Sequence, residues 1–374
     1  MTKVRTKARK KPARHAPRHS VVDAVIRAVD AFRRGEPVLI RDGARVHRAF
    51  AAETIGDGGL KALIRARAPL HLVLTHARAR TLKIRVYTPD VVALPLVPDT
   101  TAVMLRAIAD PTEDLAFPMK GPFQAERRNL SRAYAASVKL AKLSGLLPAA
   151  VVAAAAGKRA RNSIAIGAAD IMRYDDEIVE TLKMVTRARV PLEGAERTEL
   201  VSFRPVDGGP EHYAIIVGTP ETHAPVLTRL HSECFTGDLL ASLKCDCGNQ
   251  LRGAIKAIAA EGGGILLYLA QEGRGIGLIN KLRAYRLQDQ GFDTLAANER
   301  LGFEADERLY GIAAKMLKTL GYTKVRLLTN NPDKLEALAA EGIEVVERVP
   351  HAFPGGEHSR AYLRTKAERA GHLL

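Results

Sequence analysis

The chain has 374 residues, 47% of them hydrophobic and 26% charged, with a formal net charge of +16. That length is too great for one compact core, so two domains are expected. No apolar run reaches the width of a bilayer, which excludes a membrane-spanning class: the alanine-rich stretch 148–156 is short, and Lys158, Arg159 and Arg161 follow it.

Residues 1–20 hold Lys3, Arg5, Lys7, Arg9, Lys10, Lys11, Arg14 and Arg18 and no acid, so +8 of the +16 lies there. Without apolar periodicity, residues 1–19 read as a disordered basic tail. It reads as a solubilising segment, with nonspecific contact to nucleic acid through residues 1–20 and an organellar transit sequence as the alternatives. No apolar core follows it, so no secretory signal is expected, and unpaired cysteines fit a reducing, cytoplasmic location.

Order begins at Ser20. Val21, Val25, Ile26, Val29 and Phe32 have helical spacing, Gly35 stops the helix, and 37–41 is a short strand. The segments 69–75 and 82–88 alternate as strands, and 131–147 is helical. Residues 20–175 are taken as a first domain and 176–190 as a linker, in helix or strand form. The second domain, 191–374, alternates strands (213–218, 224–231, 265–270, 324–329, 344–348) with helices (251–260, 278–290, 304–320, and one opened by Pro332 and stopped by Gly342). The expected fold class is α/β, built as mixed α+β sheets with flanking helices in two domains.

All three cysteines, Cys234, Cys245 and Cys247, lie in the stretch HSECFTGDLLASLKCDCGNQ. Three clustered thiols in a chain with no others suggest zinc. Three protein ligands leave one tetrahedral position for a water of lowered pKa, hence hydrolytic chemistry. The competing readings are buried small side chains or a structural site with His231 as fourth ligand. Spacing alone does not separate these.

Gln271-Glu272-Gly273-Arg274-Gly275-Ile276-Gly277 sits between a strand and a helix. Glycine there permits close approach of an anion to backbone N–H groups, and Arg274 adds a bidentate donor. The missing Gly-Lys-Ser/Thr ending excludes a Walker loop, and the spacing excludes a dinucleotide fingerprint. Asp306 and Arg308, two apart at an expected helix start, reach a cleft or merely cap the helix. Thr329-Asn330-Asn331-Pro332-Asp333-Lys334 is a second strand-to-helix turn suited to an anion.

The blocks HSECFTGDLLASLKCDCGNQL, QEGRGIGLINKLRAYRLQDQG, LGFEADER, LLTNNPDK and TKAERAGHLL, in this order over 190–374, resemble GTP cyclohydrolase II, the entry enzyme of riboflavin synthesis. The resemblance implies a GTP cyclohydrolase II-like fold for the C-terminal domain and one zinc per subunit on Cys234, Cys245 and Cys247. It implies zinc-activated water attacking carbon 8 of guanine, ring opening, and release of formate. Asp306 would be the general acid/base, and Arg308 the nucleophile that takes the α-phosphate and expels pyrophosphate. Tyr285 would orient the reacting group or a water. Arg229, Glu233, Gln250, Glu272, Gly273, Arg274, Thr294, Thr329 and Lys334 would bind GTP, with Mg²⁺ on the triphosphate.

The first domain resembles 3,4-dihydroxy-2-butanone 4-phosphate synthase in 22–42 and 138–150. The acid-rich loop expected after its strand is instead Gly43-Ala44-Arg45-Val46-His47-Arg48, with Asp42 alone acidic. The later His and Glu are missing near 132–135. The resemblance therefore implies a degenerate domain, kept as a scaffold or as the interface of a homodimer. Two readings compete with the full reaction: a paralogue that stops at a formylamino product or serves another pathway, and a non-catalytic nucleotide- or nucleic-acid-binding protein.

Overall fold

The computed structural model describes residues 18–155 and 164–351. Most of the basic tail and the TKAERAGHLL block lie outside the described residues. The elements run α1 (Arg18–Arg33), β1 (Val38–Asp42), β2 (Arg45–Ala51), α2 (Asp57–Arg65), β3 (Leu70–Leu74), α3 (His76–Thr81), β4 (Val92–Pro95), α4 (Ala102–Ala109), α5 (Arg132–Leu143), β5 (Ala149–Ala154), β6 (Ile164–Gly167), α6 (Ala168–Met172) and α7 (Tyr174–Glu180). They continue β7 (Lys183–Arg189), β8 (Thr198–Arg204), β9 (His212–Gly218), β10 (Val226–Ser232), α8 (Cys247–Ala260), β11 (Gly263–Leu269), α9 (Gly277–Asp289), α10 (Thr294–Leu301), α11 (Tyr310–Leu320), β12 (Lys324–Leu328), α12 (Asp333–Ala340) and β13 (Glu344–Val349).

Two mixed sheets result, with flanking helices. The first has six strands in the order β4-β3-β5-β2-β1-β6 and is antiparallel except for the β1–β6 pair. The alanine-rich run that is too short for a membrane is β5, a central strand buried along five of its six residues. Small side chains let helices approach both of its faces. The second sheet has seven strands in the order β13-β12-β10-β11-β9-β8-β7. Its β13, β12, β10 and β11 are parallel, and β11, β9, β8 and β7 are antiparallel. Strand β10 is buried on both faces, as a central parallel strand must be. Its neighbours β11 and β12 lie on opposite sides, so the connections leaving their carboxyl ends diverge and open a crevice there. No helix of the described residues is long and apolar enough to cross a membrane.

Three local expectations differ from the structure. The 82–88 segment is not a strand: the Lys83 and Ile84 amides donate to the Arg80 and Ala79 carbonyls and close α3, with Lys83 at φ 59°. Residues 304–309 form a loop, and the helix there starts at Tyr310. The 176–190 segment is part helix and part edge strand, with β7 exposed along its length.

Side chains from helices α9 and α10 and from the residues just before and after them enter the apolar core of the first sheet. Ile276, Ala284, Leu287, Ala297, Leu301 and Phe303 pack with Phe50, Leu60, Leu72, Leu105, Leu147 and Val151. Helix α10 ends at Gly302, with φ 88°, where a Cβ would lie 2.8 Å from Thr75 Oγ1 and 3.0 Å from Pro148 Cγ. Only glycine suits both the left-handed backbone and that contact. Gly302→Ala is expected to destabilise the protein by about 1–3 kcal/mol, read as a lowered urea midpoint; an unchanged midpoint would show that the contact relaxes freely.

Candidate functional site

The crevice is built at the carboxyl ends of β10, β11 and β12, whose following loops carry Cys234, Glu272 and Thr329. Beyond β10 the Glu233 amide donates to the Leu269 carbonyl at 2.8 Å. The chain then turns sharply through 235–239. Asp238 pins that turn: its carboxylate accepts from the Cys234 amide at 3.0 Å, from Tyr268 Oη at 3.0 Å and from His231 Nε2 at 3.0 Å. His231 is thus spent on Asp238 and stacks on Tyr268, with ring centroids 5.6 Å apart. Burial holds its pKa below the ordinary value against the pull of Asp238. It is not the fourth ligand that the sequence offers.

Helix α8 starts at Cys247, which brings Cys245 and Cys247 against the turn. The three sulfurs lie within 4.8 Å of one another, and Cys234 and Cys245 are 3.7 Å apart. They form the one cluster of metal-ligating type among the described residues. A Cβ on Gly237 would fall 2.7 Å from Cys245 Sγ and 3.0 Å from Cys234 Sγ. Glycine is what leaves the space between the sulfurs open. Contacts with the other two thiols, joined by the Lys281 ammonium, pull the Cys234 thiol far below its ordinary pKa. The contact with Cys234 pushes Cys245 and Cys247 up. A cation large enough to face all three would favour all three as thiolates.

Lys281 is a member of the site that sequence reading does not single out. Its Nζ donates to Cys234 Sγ at 3.0 Å, Thr236 Oγ1 at 3.0 Å and Glu272 Oε1 at 2.8 Å. Burial works against its charge, but Cys234 and Glu272 override it and raise the pKa above the ordinary value. Lys281 and Tyr285 are one helical turn apart on α9, so they share a face. Tyr285 Oη lies 3.4 Å from Thr236 Oγ1, and burial raises its pKa. That i, i+4 pair was the available sequence signal.

The loop after β11 carries two consecutive left-handed residues, Gly273 at φ 63° and Arg274 at φ 62°. Glu272 ties it to the thiolate turn, accepting from the Phe235 amide at 2.7 Å. Arg274 Nη1 reaches the Ala305 carbonyl at 3.3 Å, which joins this loop to the one bearing Asp306 and Arg308. Arg308 lines the crevice, and Asp306 stands behind it. The Asp306 carboxylate grips the guanidinium in a fork, accepting from Nε at 2.7 Å and also from Nη2, and takes Tyr310 Oη at 3.1 Å. Burial pushes the Asp306 pKa up, but the Arg308 charge wins and the net shift is down. Arg308 Nη1 lies 3.4 Å from Ser232 Oγ.

The remaining expected residues all line the same crevice. Arg229 is buried, donating to the Leu328 carbonyl at 2.8 Å and to Gln250 Oε1 at 2.5 Å, with its Nε lacking a partner. Lys334 Nζ donates to the Leu230 carbonyl at 2.9 Å, and Thr329 Oγ1 accepts from the Asn331 amide at 3.0 Å. Thr294 Oγ1 accepts from Gln288 at 3.1 Å. Burial, with Glu272 and Asp238 close by, raises the Glu233 pKa. In the first domain Asp42 is occupied, accepting from Ser131 Oγ at 2.7 Å and the Arg132 amide at 2.9 Å.

A family model described as GTP cyclohydrolase II matches residues 183–350. A protein of Azospirillum brasilense named GTP cyclohydrolase-2 is 52% identical over 382 residues, covering 97% of this chain and 99% of its own. Riboflavin biosynthesis protein RibBA of Cytophaga hutchinsonii is 35% identical over 398 residues, covering 94% and 98%. Among solved structures, a two-domain 3,4-dihydroxy-2-butanone 4-phosphate synthase from A. baumannii covers 88% of this chain and 99% of its own at 18% identity, with a TM-score of 0.31, too low to bear on the fold. Near-complete coverage at this identity, with the thiol cluster intact, makes the chain a member of the GTP cyclohydrolase II family.

Proposed function

We propose that the chain hydrolyses GTP to 2,5-diamino-6-(5-phosphoribosylamino)pyrimidin-4(3H)-one, formate and pyrophosphate, the first step of riboflavin biosynthesis. The observation that carries this reading is the single crevice in which the thiol cluster faces Arg308, in a chain of this family. The family implies a metal cofactor, and the donor set suits zinc: three sulfurs around a space that one Cβ would fill. Cys234, Cys245 and Cys247 would hold it. Bound there, zinc supplies Lewis acidity that lowers the pKa of water toward neutrality. Magnesium with the triphosphate, and a homodimeric assembly, belong to the same proposal.

The chain's own residues do the rest. Glu233 and Gln250, both lining the crevice, are suited to the edge of a guanine base. Lys281 and Tyr285 flank the sulfurs and orient the reacting ring. Arg308 is held by Asp306 for attack on the α-phosphate: an N–P bond forms, the bond to the β-phosphate oxygen breaks, and pyrophosphate leaves. Asp306, ionised at neutral pH, takes the guanidinium proton. Water then cleaves the N–P bond. The first domain, with Asp42 consumed internally, carries no synthase activity in this reading.

Incubation with GTP and Mg²⁺, products identified by mass, tests the reaction. Cys245→Ser and Arg308→Ala are each expected to lower kcat by about 100-fold or more. A formylated product would favour a paralogue, and no turnover by metal-replete protein would favour a binding protein. Gly237→Ala is expected to abolish metal retention while the fold persists, measured as metal per chain after dialysis beside the circular-dichroism spectrum. Full metal content in that variant would show that the sulfurs do not enclose the ion.

A further inference from the structure

Helix α9 shows one face to the sulfurs and another to the first domain. Lys281 and Tyr285 lie on the first face. Asn280, Arg283, Ala284 and Leu287, at i, i+3, i+4 and i+7, lie on the second. Arg283 forks onto Glu53, with Nη2 to Oε1 at 2.7 Å, and its Nε lies 3.4 Å from Asp110. Asn280, fully buried, donates to the Gly145 carbonyl at 3.3 Å. A second tie runs to the loop that carries Asp306 and Arg308. Lys142, near the end of α5, places Nζ 2.5 Å from Glu307 Oε1. That oxygen also accepts from the Glu304 amide at 2.8 Å. The Glu307 amide in turn donates to the Arg274 carbonyl at 3.0 Å. Lys142 therefore fixes, from outside the catalytic half, the residue between Asp306 and Arg308.

We infer that Lys142 of the first domain is a positioning residue for the cyclohydrolase reaction, acting through Glu307 to hold Arg308 against the thiolate site. This rests on the function proposed above. Lys142 is four-fifths buried and so is Glu307, so their bond is less screened than a surface pair. Without it, the Glu304–Glu307 turn loses the charge that its carboxylate faces, and the loop that carries Arg308 and its partner Asp306 shifts as a unit relative to the sulfurs. Ground-state binding by Glu233, Gln250 and Lys334 comes from other elements, while Arg274 is hydrogen-bonded to that loop and makes the smaller, binding share of the effect. The larger loss therefore falls on the step in which Arg308 acts.

The test uses the full metal-loaded chain and compares Lys142→Met, Lys142→Arg, and Lys142→Glu paired with Glu307→Lys. Lys142→Met is expected to lower kcat about tenfold while KM for GTP stays within about twofold. Metal content and the thermal midpoint are expected to match the parent. Lys142→Arg should recover most of the rate, and the charge-swapped pair should exceed Lys142→Glu alone. An unchanged kcat in Lys142→Met overturns the inference, as does a loss that tracks the thermal midpoint or falls wholly in KM. If the parent protein fails to turn over GTP, the proposed function falls and the inference with it. An active parent with an indifferent Lys142→Met removes the inference alone.

Discussion

A helix whose two faces serve different cores constrains everything around it, and α9 is such a helix. Its 281/285 face must meet the sulfurs within hydrogen-bond range, while Ala284 and Leu287 must fill the core of the first sheet. Rotating the helix to improve one face spoils the other. Its pose is therefore set by the packing of the first domain and used by the chemistry of the second. Interiors packed to the density of organic crystals do not deform continuously, so that pose is well defined.

The same economy holds for the charges. Three sulfurs in so small a space repel once ionised, and thiolates are costly to bury unpaired. Lys281 offsets part of that charge, and Glu272 in turn keeps Lys281 from being an isolated buried cation. Asp238 plays the corresponding part on the other side. It takes three donors, so the turn that presents Cys234 is held without strain from any covalent link. Arg308 and Asp306 form a separate pair across the crevice, with Tyr310 closing the third side of the carboxylate.

Much of this was legible in the sequence, and what was not shares one cause. The cysteine cluster, the glycine-rich loop and the Asp-x-Arg pair are local patterns whose chemistry is carried by residues close in the chain. The strands and helices of the second half follow from short-range periodicity and capping. Asp238 and Tyr268 escape because they act across strands: the site needs to know that β10 lies beside β11. His231 was readable as a fourth ligand since it precedes Cys234, but its Nε2 is taken by Asp238, a residue of the turn that follows. The 82–88 segment alternates like a strand, yet the turn closing α3 claims its first amides. The packing of 276–303 on the first sheet is invisible to periodicity, which says that a face is buried and not against what.

That last contact bears on why a first half without the acids of its resembled family is still a working part of the molecule. Asp42 is consumed by Ser131 and Arg132, so its carboxylate serves to hold the start of α5 against β1. The apolar surface of α9 and α10 has its cover in that domain. Exposing Ile276, Leu287, Leu301 and Phe303 would cost roughly 1.5–3 kcal/mol each. The sum is on the scale of a whole domain's stability, about 5–15 kcal/mol. The loss would fall on the helix that carries Lys281 and Tyr285, and on the loop held through Glu307. Chemistry can vanish from a domain one side chain at a time, because each acid acts alone at its own atom. A shared core cannot be given up in the same way, since its residues lower the free energy jointly and the second half's reaction depends on where they put the helix.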